Sequence, residues 1–230
     1  MEAAVLGVLG GSGGVGASTV AATLAWVAGA LLIDLDGISG GIDVLLGVED
    51  APGARWSGLR LGGGRLDPAV LAEALPRWAD IGVLAADVAP EPAAAQQAVE
   101  VARGHGPVVV DLPRWPGPLR DAALPLCALT VLVAGARVPS VIAARAVARS
   151  VASAAPDTPI AALIRSHRAS AAPARVAEVI GVPMLGAVDP PPARADGPLT
   201  PAGLPRALVR VCQDVWAGLS ALTGAGSDDG

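Results

Sequence analysis

The run Gly10-Gly11-Ser12-Gly13-Gly14-Val15-Gly16-Ala17-Ser18-Thr19 carries the clearest chemistry in this chain of 230 residues. It follows an apolar stretch and opens an Ala-rich one, so it is expected to join a strand to a helix. In that setting several backbone N–H groups and a helix N-terminus converge on one point, which makes an anion site. Glycines let the backbone approach a phosphate and take positive φ. Two patterns fit. Gly11-x-Gly13-x-x-Gly16 matches the dinucleotide fingerprint, and Asp34, 23 positions after Gly11, stands where a ribose-binding acid is expected. Gly11-x4-Gly16-Ala17-Ser18 matches a Walker A phosphate loop in which Ala17 replaces the lysine. A glycine-rich turn without a ligand is the third reading, and the loop alone does not choose among them.

Acids elsewhere favour the phosphate loop. Ser18 and Thr19 supply hydroxyls where Mg²⁺ needs one. Val108-Val109-Val110-Asp111-Leu112-Pro113 is an apolar run ending in an acid, the Walker B form, able to hold a metal-bound water beside phosphates. Leu31-Leu32-Ile33-Asp34-Leu35-Asp36 ends in two acids where a ribose needs one. The chain has no Tyr or Lys, so it lacks the Tyr/Lys pair of many short-chain reductases.

Short apolar runs alternate with helical stretches along the whole chain, the pattern of a parallel sheet covered by helices. Strands are expected over 3–9, 30–35, 81–85, 107–111, 129–134, 160–164 and 183–188, and helices over 17–29, 68–76, 92–103, 139–155, 171–180 and 204–222. Several strands are continuous Val/Leu/Ile runs, as burial on both faces requires. The expectation is a single doubly wound α/β domain over 1–223. It has about seven mostly parallel strands, helices on both faces and its ligand at the carboxyl ends of the strands. Segments 49–67 and 189–201 read as loops, and 224–230 as a disordered tail. Leu204, Leu208, Val211, Val215, Leu219 and Leu222 form one stripe on the last helix, expected to pack on the sheet rather than on a membrane.

The net charge is −5 and no Arg cluster forms a basic stripe, which disfavours direct nucleic-acid binding. No apolar run is long enough to span a bilayer, and no basic segment precedes the first apolar stretch. Cys127 and Cys212 stand alone and read as buried thiols in a reducing compartment. A cytoplasmic protein is expected.

The loop Ser12-Gly13-Gly14-Val15-Gly16-Ala17-Ser18-Thr19 resembles the deviant Walker A motif K-G-G-x-G-K-[ST]-T of the MinD/ParA P-loop ATPases. Asp34-Leu35-Asp36-Gly37-Ile38-Ser39-Gly40-Gly41-Ile42-Asp43-Val44-Leu45-Leu46-Gly47 is similar, without a gap, to the MinD segment from strand two through switch I. Asp111-Leu112-Pro113 resembles the family's Walker B, and Val188-Asp189-Pro190 its late loop near the adenine. The Gly-Gly-Val-Gly-Ala-Ser-Thr version, with Leu59-Arg60, Gly64-Arg65-Leu66 and Ala74-Leu75-Pro76, looks like the CpaE/TadZ branch. That branch includes pilus-assembly localisation proteins and, among actinobacteria, the septum site-determining protein. Many of its members carry a receiver-like domain first; here the first strand begins almost at Met1, so such a domain is absent or lies outside this chain.

The resemblance implies bound ATP or ADP with Mg²⁺. Gly11, Ser12 and the amides of Gly13 to Thr19 would hold the phosphates, and Ser18 would ligate Mg²⁺, with Asp34 and Asp111 holding its waters. Asp36 would orient the attacking water, and Asp189 and Pro190 would line the adenine. Asp43 is given only helix capping or solvent contact. The family commonly has an Asn near Arg165 that reads adenine, and none is present. Implied partners are a second copy of the chain and a secretion or pilus ATPase or a division protein, with any membrane association indirect.

Two lysines of the family pattern are missing. Ser12 stands where the signature lysine crosses a dimer, and Ala17 where the P-loop lysine meets the β- and γ-phosphates. Losing one such contact commonly costs about 3–4 kcal/mol of barrier, roughly 10²–10³ in rate. Weak or absent hydrolysis is therefore expected, with the backbone cradle still able to bind. Arg114 or Arg137 would be the stand-in cation.

Overall fold

The structure, a computed structural model, describes residues 3–38, 40–59, 67–166, 171–189 and 197–224, with side chains to 221. The strands are β1 (Val5–Gly10), β2 (Leu31–Asp34), β3 (Arg77–Trp78), β4 (Ile81–Leu84), β5 (Val108–Asp111), β6 (Leu129–Gly135), β7 (Ile160–Arg165) and β8 (Met184–Val188). They form one sheet in the order β3-β4-β2-β5-β1-β6-β7-β8. Every pairing is parallel except β3 with β4. The helices are α1 (Ala17–Ala28), α2 (Ile42–Leu46), α3 (Pro68–Ala74), α4 (Pro92–Arg103), α5 (Pro118–Ala123), α6 (Val138–Ala154), α7 (Pro173–Ile180) and α8 (Arg206–Gly224).

The period of two along each strand sorts side chains into two cores. Val5 and Leu9 of β1, Leu31 and Ile33 of β2 and Val108 and Val110 of β5 pack with Leu71, Ala98, Ala144 and Val176 on one face. Leu6, Val8, Leu32 and Val109 pack with Val20, Leu24, Ile42, Leu208 and Cys212 on the other. Both faces are covered, which is why the central strands read as unbroken apolar runs.

The seven expected strands and six expected helices all form, each within two residues of its expected ends. The sheet has an eighth strand. β3 is two residues long and turns back onto β4 through Ala79, which takes a left-handed φ of 51°. A two-residue strand has no alternation to read, and Ala gives no turn signal there. Helix α2, bracketed by Gly41 and Gly47, and helix α5, after Gly117, were also not expected. Each is too short to show a helical period.

The α8 stripe packs on the protein. Leu208, Cys212, Val215 and Leu219 are buried, and Trp216 Nε1 donates to the Leu24 carbonyl of α1 at 2.9 Å. Among the described residues no helix is long and apolar enough to cross a membrane. Burial pushes the thiols of Cys127 and Cys212 up to about 12, as inert core cysteines require.

Candidate nucleotide site

Strand β1 is central, flanked by β5 and β6, so the loop after it opens into the crevice where the sheet's connections diverge. Gly14 (φ 69°) and Gly16 (φ 80°) take the left-handed conformation that bends the loop into a cup. Gly16 caps α1 with no side-chain bond, and the first turn holds no acid. The amides of Ala17, Ser18 and Thr19 therefore have no intrahelical carbonyl and face a site of positive potential.

The backbone from Ser12 to Thr19 lines a cavity of about 900 Å³, with Asp34, Asp36 and Asp111 across from it. Gly11 is placed differently. Its N–H donates to the Val133 carbonyl at 2.8 Å, and an added Cβ would meet that of Ala144 at 2.5 Å. It lies outside the cavity lining, and its missing side chain is needed for the approach of α6.

The acids differ in how they are held. Asp34 is 2% exposed. Its Oδ1 accepts from the Asp36 N–H at 2.8 Å and its Oδ2 from the N–H groups of Ile42 at 3.2 Å and Ala86 at 3.4 Å. Its carbonyl accepts Trp56 Nε1 at 2.7 Å. Burial raises its pKa, with those backbone bonds pulling the other way. A carboxylate so engaged fastens the start of α2 and the end of β4, and has little acceptor capacity left for a ribose or a metal-bound water. Asp111 is 3% exposed and accepts a bond from the Ser18 hydroxyl. Burial first, then the charge of Asp34, holds its carboxyl well above the usual range. Asp36 is half-buried in the wall of the cavity. Asp43 lies in the first turn of α2, whose N-cap is Gly41: its Oδ2 pairs with Arg55 Nε at 3.2 Å, while its Oδ1 accepts the Val44 N–H at 3.0 Å. Arg55 in turn donates to the carbonyls of Val48 and Glu49.

Two arginines approach the loop. Arg114, after β5, lines the cavity, with Nη1 3.7 Å from where a Gly13 Cβ would stand and its guanidinium 4.3 Å above the Trp115 ring. Arg165 ends β7 and is 5% exposed; an added Cβ on Gly16 would lie 3.0 Å from its Nη2. Its Nε and Nη2 are buried without a hydrogen-bond partner, and burial lowers its pKa. Arg137, the other expected stand-in, is exposed at the N-cap of α6 and is not part of the lining. Asp189 is exposed at the end of β8 and also outside the lining. Pro190 lies outside the described residues, as do Ser39, Arg60, the Gly64–Leu66 motif (64–66) and His167.

Two uncharacterized proteins of Mycobacterium tuberculosis, from strains CDC 1551 and H37Rv, are each 40% identical to this chain over 201 residues. The match covers 84% of this chain and 56% of each relative, so the chain spans little more than half their length. No family model matches. MinD in the MinC:MinD cell division complex of Aquifex aeolicus superposes with a TM-score of 0.73 at 19% identity, covering 94% of this chain and 96% of that one. The septum site-determining protein MinD of Pyrococcus horikoshii, complexed with Mg-ADP, gives 0.69 at 17% identity over 98% and 99% of the two chains. The chain has the MinD fold.

On a MinD fold, the loop after β1 and the acids at the ends of β2 and β5 are brought together by parallel register: Val8 pairs with Asp111, and Asp111 with Asp34. The residues present fit a divalent ion held with a polyphosphate. The Ser18 hydroxyl donates a hydrogen bond to Asp111, which leaves its oxygen lone pairs for a cation. Asp111, its pKa raised by burial and then by the charge of Asp34, is relieved by a positive charge. Among the described residues, no three His, Cys, Asp or Glu side chains are grouped to hold a metal themselves. Such an ion would take Ser18, water and phosphate oxygens, the mixed shell Mg²⁺ favours.

Part of the cavity wall was not foreseen. Pro198, Leu199 and Thr200 line it, held by Leu199 N–H to the Leu45 carbonyl at 2.8 Å and by Trp78 Nε1 to the Leu199 carbonyl at 2.8 Å. Nothing in the local sequence marks that segment, because its partners lie more than a hundred residues away. Ile38, Val44 and Trp115 are exposed apolar residues at the mouth. Arg165 was visible only as a strand end, and its place against Gly16 depends on the register of β6 with β7.

Proposed function

We propose that this chain binds ATP with Mg²⁺ and acts as a nucleotide-dependent switch or scaffold with weak or no hydrolysis. One observation carries the reading: a cup of backbone from Ser12 to Thr19, Ser18 included, shares a cavity of nucleotide size with Asp111 and Asp36, with no lysine in the loop. The amides and the α1 N-terminus bind phosphate without a side-chain charge. Asp36 orients water in the wall, and Ser18 and Asp111 hold the ion and its shell. With Ala17 and Ser12 in place of two cations, the transition-state charge lacks contacts worth roughly 10²–10³ in rate each.

The apolar mouth formed by Ile38, Val44 and Trp115 supports face-to-face pairing of two copies in the loaded state. The CpaE/TadZ resemblance of the loop extends the proposal to positioning a pilus or type II-like secretion machine, or to septum-site control, through a partner recruited by the loaded form.

Thermal unfolding with and without millimolar Mg-ATP tests the reading. A native-state ligand at a hundred times its Kd stabilises by about 2.7 kcal/mol, a shift of several degrees. An unchanged Tm would replace the switch by a nucleotide-free interaction module. A multiple-turnover assay is expected to show hydrolysis near background; brisk turnover abolished by Asp36→Ala would overturn the weak-hydrolysis part.

A further inference from the structure

We infer that Arg114, held on the face of Trp115, recognises the terminal phosphate of the nucleotide and makes the site prefer the triphosphate over the diphosphate. The inference rests on the nucleotide reading above and names the group that gives it specificity.

Arg114 is the arginine that lines the cavity, and its Nη1 overhangs Gly13. Among the described residues it has no carboxylate partner; its contact is the Trp115 ring, 4.3 Å from the guanidinium carbon. An indole face holds a guanidinium by its π cloud and leaves the N–H edge free to bond elsewhere. Trp115 is 68% exposed, so the ring and the guanidinium on it stand open to a ligand in the cavity.

The position also selects which phosphate is met. Ser18 and Asp111 would hold the ion, whose charge would serve the outer phosphates. Arg114 follows Asp111 by three residues on the same loop after β5, on the ion's side of β1. Arg165 comes from β7, two strands away on the opposite side. The outer end of a bound polyphosphate would then lie on the Arg114 side of the cavity. A planar fork of N–H donors suits a terminal phosphate, which has three free oxygens, better than a bridging one. Arg114 thus answers the loss of both lysines from outside the loop.

The test is calorimetric titration of the full chain with Mg-ATP and Mg-ADP, for the wild type, Arg114→Ala, Arg114→Lys and Trp115→Ala. A charged hydrogen bond of this kind corresponds to about tenfold or more in affinity. Wild type is expected to bind ATP at least about tenfold more tightly than ADP. Arg114→Ala should lose most of that ratio while ADP affinity stays within about twofold; Arg114→Lys should keep part of it. Trp115→Ala should weaken ATP about two- to fivefold, since the fork is no longer pre-positioned. An ATP-to-ADP ratio unchanged in Arg114→Ala overturns the inference while leaving nucleotide binding intact. A wild type that binds neither nucleotide overturns the reading beneath it.

Discussion

On the strand ends around the loop the charges are out of water. Asp34, Asp111 and Arg165 are each 5% exposed or less, and they sit on the ends of β2, β5 and β7. On the surrounding loops Arg114 is half-buried, Trp115 stands in solvent and Ile38 is 89% exposed. Strand ends inside a sheet covered on both faces hold charges by backbone bonds and register, at a desolvation cost. Loop residues at the rim carry no such cost and no such fixity. The cleft separates two tasks: its floor fixes geometry, and its rim is free to meet a ligand or a partner. Floor substitutions should therefore act on stability and rim substitutions on recognition.

The strongest way to break this division is Asp34→Ala. It strips the acceptor from the N–H groups of Asp36, Ile42 and Ala86, two of them deep in the fold. A loss of about 3 kcal/mol in urea unfolding is expected, partly offset where water enters. An effect under about 1 kcal/mol would show that the floor is not held by this hub.

Next comes a matched pair on the loop. Gly14 and Gly16 both have positive φ, but an added Cβ meets nothing at Gly14 and meets Arg165 at Gly16. Gly14→Ala should cost about 1 kcal/mol from backbone strain alone. Gly16→Ala should cost about 2–3 kcal/mol, and the excess should vanish in an Arg165→Ala background. An excess that persists there would place the constraint elsewhere than Arg165.

The buried acids of the floor make stability depend on pH. The folded pKa of Asp111 is raised above its unfolded value of about 4. Folding then takes up protons, so this contribution to stability is fully present below about pH 4 and is lost as pH rises through the raised value. Asp34 adds in the same direction. The wild type should lose ligand-free stability relative to Asp111→Asn as pH rises from 4 toward 7, and Mg²⁺ with nucleotide should restore most where both acids are ionised. Parallel pH profiles for the two proteins would remove Asp111 from the floor's electrostatics.

The smallest expected change lies at the rim. Trp115→Ala should move unfolding by less than about 0.5 kcal/mol, because an exposed ring gives up little burial.

Much of this was legible in the chain. Strands β1, β2, β5 and β6 sit between helices on both faces, so nearly every residue is apolar and the runs stand out. The loop was legible because glycine is required where the backbone turns left-handed, as at Gly14 and Gly16. Gly11 shows the limit: it matched a motif, yet its lack of a side chain serves Ala144 of α6. Arg137 and Arg114 looked equivalent as arginines following strands β6 and β5, and only one turned into the cavity. The β3–β4 hairpin was hidden because a two-residue strand has no period.

By itself, the amino-acid order determined the alternation of strand and helix, the phosphate-sized cup after the first strand, and the absence of any lysine to fill it. These are local properties: backbone conformation, side-chain period and residue type are written in adjacent positions. The tertiary structure decided which distant charges reach that cup. Arg165 lies against Gly16, Asp34 and Asp111 stand side by side, and Leu199 closes the wall, because parallel register and strand order bring chain ends together across long separations. Those contacts depend on how the whole sheet packs, a balance of burial and hydrogen bonding that no short stretch of residues contains.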